Sequence, residues 1–164
     1  MAIIEFISNF KDQLYVFLCS MLPVLELRAG VPLGATLGLD VFQTFFLAVL
    51  GNLLPIPFIL IFIKKILEWM RGSRIKILNK ISNKLYQKAE KRSEKVNKFE
   101  VFGLFLFVAI PLPMTGAWTG ALIAGLFEMR FSKSFISIIL GVITSGIIMC
   151  LASFGIVKFL SIFA

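Results

Sequence analysis

Two charges stand where the composition disfavours them. Glu26 and Arg28 lie two positions apart in the stretch PVLELRAGVPLG, where every other residue is apolar, glycine or proline. A carboxylate and a guanidinium in such a segment are costly unless they pair, bind a ligand or move a proton. Burial and a neighbouring guanidinium pull the ionisation of a carboxylate in opposite directions, so Glu26 is placed to act as a proton-coupling group. Arg28 offers a planar, permanently charged fork suited to phosphate or carboxylate. The plainer alternative is a static Glu26–Arg28 ion pair that holds a turn. A second polar group follows Pro111 and Pro113: Thr115, Trp118 and Thr119 have the chemistry to hydrogen-bond and stack on a ligand, or only to pack a turn. Asn52, alone in an uncharged run, is either a site residue or a partner for backbone freed by Pro55 and Pro57.

The elements that must position these residues are membrane elements. Of 164 residues 59% are hydrophobic, 16% are charged and 18 are Phe, against roughly 25% charged in a soluble domain. Mean hydropathy is +0.94. This excludes a secreted globular domain and an ordinary cytosolic enzyme. The net charge of +8 is localised: residues 64–98 hold twelve Lys/Arg against three Asp/Glu, and the rest of the chain holds five against six. A basic block between two oily halves reads as a cytoplasmic segment, not as a nucleic-acid surface. Its apolar positions Ile75, Leu78, Leu85, Ala89, Val96 and Phe99 predict an amphipathic helix near anionic lipid head groups.

The missing residues narrow the chemistry. There is no histidine, and Cys19 and Cys150 lie in separate apolar runs where they read as small buried hydrophobes. No zinc site, histidine-activated nucleophile, CxxC pair or Walker sequence can be written, so no enzyme activity, metal or cofactor is expected. The N-terminal segment lacks the basic region and cleavage site of a signal peptide.

We expect a single all-α polytopic membrane domain over residues 1–164. Its parts are a re-entrant hairpin over 14–39, a transmembrane helix over 41–63, the basic segment 64–98, a second re-entrant hairpin over 99–126 and a transmembrane helix over 134–157. Prolines and glycines interrupt both hairpin stretches, and Pro23, Gly30, Pro32, Gly34, Pro111, Pro113, Gly116 and Gly120 are expected to shape the tips. The glycine pattern repeats at 86 positions, placing Gly30 on Gly116 and Gly34 on Gly120. A segment of about 14 residues makes only about 21 Å of helix, short of a core of about 30 Å. Irregular backbone at membrane depth must be covered by protein, so the two tips should face each other. With 64–98 cytoplasmic, the halves become inverted copies, the layout of secondary transporters with a midplane site. Four complete spans with both termini inside form the rival topology.

Glu26-Leu27-Arg28-Ala29-Gly30-Val31-Pro32-Leu33-Gly34 and Pro111-Leu112-Pro113-Met114-Thr115-Gly116-Ala117-Trp118-Thr119-Gly120 resemble the small multidrug export protein family of short bacterial and archaeal membrane proteins. More distantly the layout is similar to the DedA superfamily, with its lipid-carrier flippases and scramblases and two facing hairpins. In that pattern an acidic residue follows a proline in the first hairpin, as Glu26 follows Pro23. The second hairpin of that pattern carries an arginine near its tip, absent here, where Thr115, Trp118 and Thr119 stand. The resemblance implies a flippase for a lipid-linked phosphate or similar amphiphile in the plasma membrane. Arg28 would then supply the missing cation from the first hairpin. Two alternatives stay open: proton-coupled export of small cationic drugs, with Trp118 and phenylalanines contacting the cation, and an assembly factor whose basic arm recruits a partner. A chain this small is expected to form a homo-oligomer.

Overall fold

A computed structural model describes residues 2–72, 94–112 and 115–163. The described chain is helical throughout: α1 (Ala2–Met21), α2 (Glu26–Thr36), α3 (Val41–Leu53), α4 (Ile56–Gly72), α5 (Glu94–Ala109), α6 (Ala117–Leu126) and α7 (Phe131–Phe163). The amphipathic helix expected in the basic segment falls mostly on residues 73–93 and so lies outside the described residues, as does Pro113.

The boundaries follow local chemistry. Helix α1 stops at Met21, ahead of Pro23, and α5 stops at Ala109, ahead of Pro111, because a proline pushes the residue before it out of the helical region. Asp40 caps α3, accepting the N–H groups of Phe42 at 2.9 Å and Gln43 at 3.4 Å. Helix α2 ends on Gly38 at φ +75°, a left-handed position that suits glycine. The span expected over 41–63 is broken at Leu54 and Pro55 into α3 and α4. Helix α4 continues past Lys64 and Lys65 to Gly72. The apolar run ends at those lysines, but lysine is a good helix former and does not end the helix.

Among the described residues two segments are long and apolar enough to cross a bilayer, Val41–Ile63 and Phe131–Lys158. Only 33% and 39% of their apolar windows are buried inside the protein. The core helix of a soluble protein would be mostly buried. Here Phe42, Phe46, Phe58, Phe62, Ile136, Leu140 and Leu151 face outward, an apolar surface that only lipid or another protein would cover. This is an all-helical membrane protein.

Each half runs helix, break, short helix and apolar span. The span is broken into α3 and α4 in the first half and continuous as α7 in the second, and the short helices bury equivalent positions. Leu27, Gly30, Val31, Gly34 and Ala35 are the buried residues of α2 after Glu26, and Ala117, Gly120, Ala121, Ala124 and Gly125 are those of α6. Each member of the second set follows its counterpart by 90 positions (117 − 27 = 90). The helix ends match too. Leu39 N–H donates to the Gly34 carbonyl at 3.0 Å, and Met129 N–H to the Ala124 carbonyl at 2.9 Å. The register is therefore 90, not the 86 that the glycines suggest. The difference of four is one helical turn, and a motif with a glycine every four residues matches itself under that slip. Before the tips the shift is 88, which places Pro23 on Pro111. The second tip is two residues longer.

Helix α2 packs against α1, α3 and α7, while α6 packs against α4, α5 and α7. The core between them holds Val16, Leu27, Val31, Ala48, Leu104, Val108, Ala121, Ile138 and Val142. Small residues set the spacing. A Cβ on Gly30 would run into Ser20 of α1, and one on Gly120 into Val108 of α5, the same contact in both halves.

Candidate functional site

The break between α1 and α2 and the break between α5 and α6 face each other. Four side chains stitch them together. Glu26 begins α2 at φ +50°, in the left-handed region that a residue with a side chain enters at a cost of about 1–3 kcal/mol. Its N–H is held by the Leu22 carbonyl at 2.9 Å. This geometry turns the carboxylate onto the N-terminus of α6, where Oε1 accepts the backbone N–H of Trp118 at 3.2 Å. The amide of Ala117 also points toward the carboxylate. Glu26 is only 6% exposed. Gly116, the residue capping α6, makes room: a Cβ there would fall on the Glu26 carboxylate.

Arg28, half a turn further along α2, reaches the other tip separately. Its Nη2 donates to Thr115 Oγ1 at 2.9 Å. The Thr115 hydroxyl in turn faces the carbonyls of Leu112 at 2.8 Å and Ile110 at 3.0 Å, which fixes the second tip. The Trp118 indole N–H donates to the Met21 carbonyl at 3.2 Å, the last residue of α1. The static Glu26–Arg28 ion pair is therefore not the arrangement observed: each charge is engaged by the opposite tip, Glu26 by backbone amides and Arg28 by a hydroxyl.

Beside this junction lies a cavity of about 570 Å³ lined by Pro23, Val24, Leu25, Glu26, Arg28, Ala29, Thr115 and Thr119. Its walls are mainly apolar, with one anion, one cation and two hydroxyls converging on it. Arg28 spends one of its five N–H donors on Thr115, which leaves donor capacity on the cavity side.

Of the residues read as site candidates, Glu26, Arg28, Thr115 and Thr119 line this cavity, and Trp118 is tied to it through its bond to Glu26. Asn52 does not. It sits on α3, 1% exposed, with its Oδ1 lacking a partner among the described residues. The tip is also tighter than the proline and glycine pattern suggests. Pro23, Pro111 and Gly116 belong to the breaks, whereas Gly30, Pro32, Gly34 and Gly120 lie inside α2 and α6. Glycine is tolerated there because it permits close packing. Pro32, having no N–H, leaves the Arg28 carbonyl without its helical donor. Sequence reasoning missed the α6 amides and the Met21 carbonyl, since every residue carries such groups. The signal available was Gly116 directly before a helix, where only a missing side chain lets an anion approach. Cys150 is buried and Cys19 partly so.

A helical membrane protein with two apolar spans and a polar junction between two broken segments is thus defined. A family model described as "Putative small multi-drug export protein" matches residues 26–148. The match covers most of the chain, from Glu26 to Ile148, and the protein belongs to that family. No curated protein and no solved structure matches the chain.

Proposed function

We propose that the protein carries an anionic amphiphile, such as a lipid-linked phosphate, across the plasma membrane, with Arg28 holding the head group in the cavity between the two tips. One observation supports this reading above the others: a permanently charged guanidinium with spare donors lines a mainly apolar cavity of about 570 Å³. Such a cavity suits a charged head and the first carbons of a chain. The family's export description agrees with movement across a membrane.

In this reading the tips are re-entrant. Helix α2 has 11 residues and α6 has 10, about 15–17 Å each at 1.5 Å per residue, half of a core of about 30 Å. Tips that meet through Glu26, Arg28, Thr115 and Trp118 then meet near the midplane. The basic segment 64–98 faces the cytoplasm and anionic lipid. That makes the two halves inverted copies, the arrangement in which access alternates around a fixed site. Glu26 couples transport to protons. The distant DedA resemblance agrees with this layout. A second reading, export of small cations, rests on Glu26 as the lone anion in the cavity, with its carboxylate exchanging a proton for the cation.

The deciding experiment measures translocation in liposomes of a labelled polyprenyl phosphate and of a cationic dye, for wild type, Arg28→Ala and Glu26→Gln. The expected result is phosphate flux that Arg28→Ala abolishes and that loses its response to a pH gradient in Glu26→Gln. Dye flux without phosphate flux would establish the second reading. Flux of neither, with protein correctly inserted, would sink transport altogether.

A further inference from the structure

The end of α6 that faces the cavity is already occupied. The first N–H groups of a helix have no partners within it and attract anions, and here the anion is supplied by the chain itself. Three features make the Glu26 carboxylate an inserted occupant. Glu26 accepts a left-handed backbone conformation in order to point there. Gly116 lacks the side chain that would fill the seat. The contact is also one-sided: 90 positions after Glu26 stands Gly116, which has no side chain to return it. A symmetric brace between equivalent tips would be reciprocated.

Glu26 and Arg28 also wall the same cavity. A phosphate entering it meets Arg28, Thr119 in the first turn of α6, and the Glu26 carboxylate that holds the Trp118 amide of the same turn. Both anions want the same donors, and two negative charges side by side repel. We propose that Glu26 is a built-in competitor: its carboxylate keeps the anion-binding end of α6 occupied in the empty protein, and an anionic head group takes its place there. This rests on the anionic-substrate reading above and adds its regulation. Occupation by the carboxylate keeps buried N–H groups satisfied when the site is empty, and limits how tightly the head group is held, so that it can be released. Within the cavity lining Arg28 is the other charged group facing Glu26.

The test measures binding of farnesyl phosphate and of inorganic phosphate to the full chain in detergent, read by Trp118 fluorescence in a Trp69→Phe background. Glu26→Gln removes the charge at nearly constant shape, and Glu26→Asp keeps the charge but withdraws it by one methylene. Both variants should bind farnesyl phosphate at least five-fold tighter than the parent, with Arg28→Ala abolishing binding. Inorganic phosphate should show the same order if the head group alone competes. Binding that Arg28→Ala abolishes but that neither Glu26 variant tightens would overturn the competitor and leave the anion site standing. Binding by no variant, or binding insensitive to Arg28→Ala, would overturn the anion site and the competitor with it.

Discussion

The Glu26 carboxylate accepts the backbone N–H of Trp118 at 3.2 Å, across 92 positions of sequence. A side chain of the first broken segment thereby caps a helix of the second, and Gly116 is the residue that lets it in. A charge-assisted hydrogen bond of this kind contributes about 1.5–3 kcal/mol, and the helix dipole adds up to about 2 kcal/mol in a partly buried site.

Gly116→Ala should therefore destabilise the protein by about 1–3 kcal/mol, the usual cost of overpacking a filled site. In a Glu26→Ala background the added methyl has an empty seat, so most of that cost should vanish. Thermal unfolding in detergent of the two single variants and the double variant forms the cycle. An undiminished cost in the double variant would mean the carboxylate does not occupy that seat.

The Thr115 hydroxyl joins Arg28 to the carbonyls of Ile110 and Leu112. Thr115→Val removes this joint at nearly constant volume and should cost about 0.5–1.5 kcal/mol, the net worth of an ordinary hydrogen bond between groups that are only partly buried. Thr115→Ser should restore most of it. Equal unfolding temperatures for the valine and serine variants would contradict the joint.

Asn52 is buried on α3 and its Oδ1 is unpaired among the described residues. An apolar side chain of similar size avoids the cost of burying that oxygen, about 1–3 kcal/mol on mutational scales. Asn52→Leu should raise the unfolding temperature and leave flux intact, because Asn52 does not line the cavity. A loss of flux with the fold preserved would assign Asn52 a role in transport.

Topology can be read at Ser132, exposed at the start of α7. In a background with Cys19 and Cys150 replaced by Ala, re-entrant tips place Ser132→Cys on the cytoplasmic side, protected from an impermeant thiol reagent on intact cells. Four full spans would place it outside. Labelling of intact cells at 132 would exclude the inverted hairpins.

Much of the scaffold was legible because prolines speak locally. Pro23 and Pro111 mark both breaks, and the lone charges Glu26 and Arg28 point to the junction. The register of the two halves was not, since glycines at Gly30, Gly34, Gly116 and Gly120 match equally well one turn apart. Burial distinguishes the two registers and is a tertiary property. Nor did adjacency in sequence reveal the partners of Glu26 and Arg28. Two positions apart on a short helix they invite an ion pair, but the left-handed turn at Glu26 sends one to the α6 amides and the other to Thr115.

The central claim is that substrate passes through the cavity between the tips, and Ala29 in its wall gives the most direct access to it. A single Ala29→Cys in the cysteine-free background should transport polyprenyl phosphate in liposomes until a small thiol reagent modifies it, and should then fall to background. Excess substrate should slow the modification, while Phe102→Cys on the outer surface should be modified without effect. Undiminished flux through protein fully modified at position 29 would contradict the account.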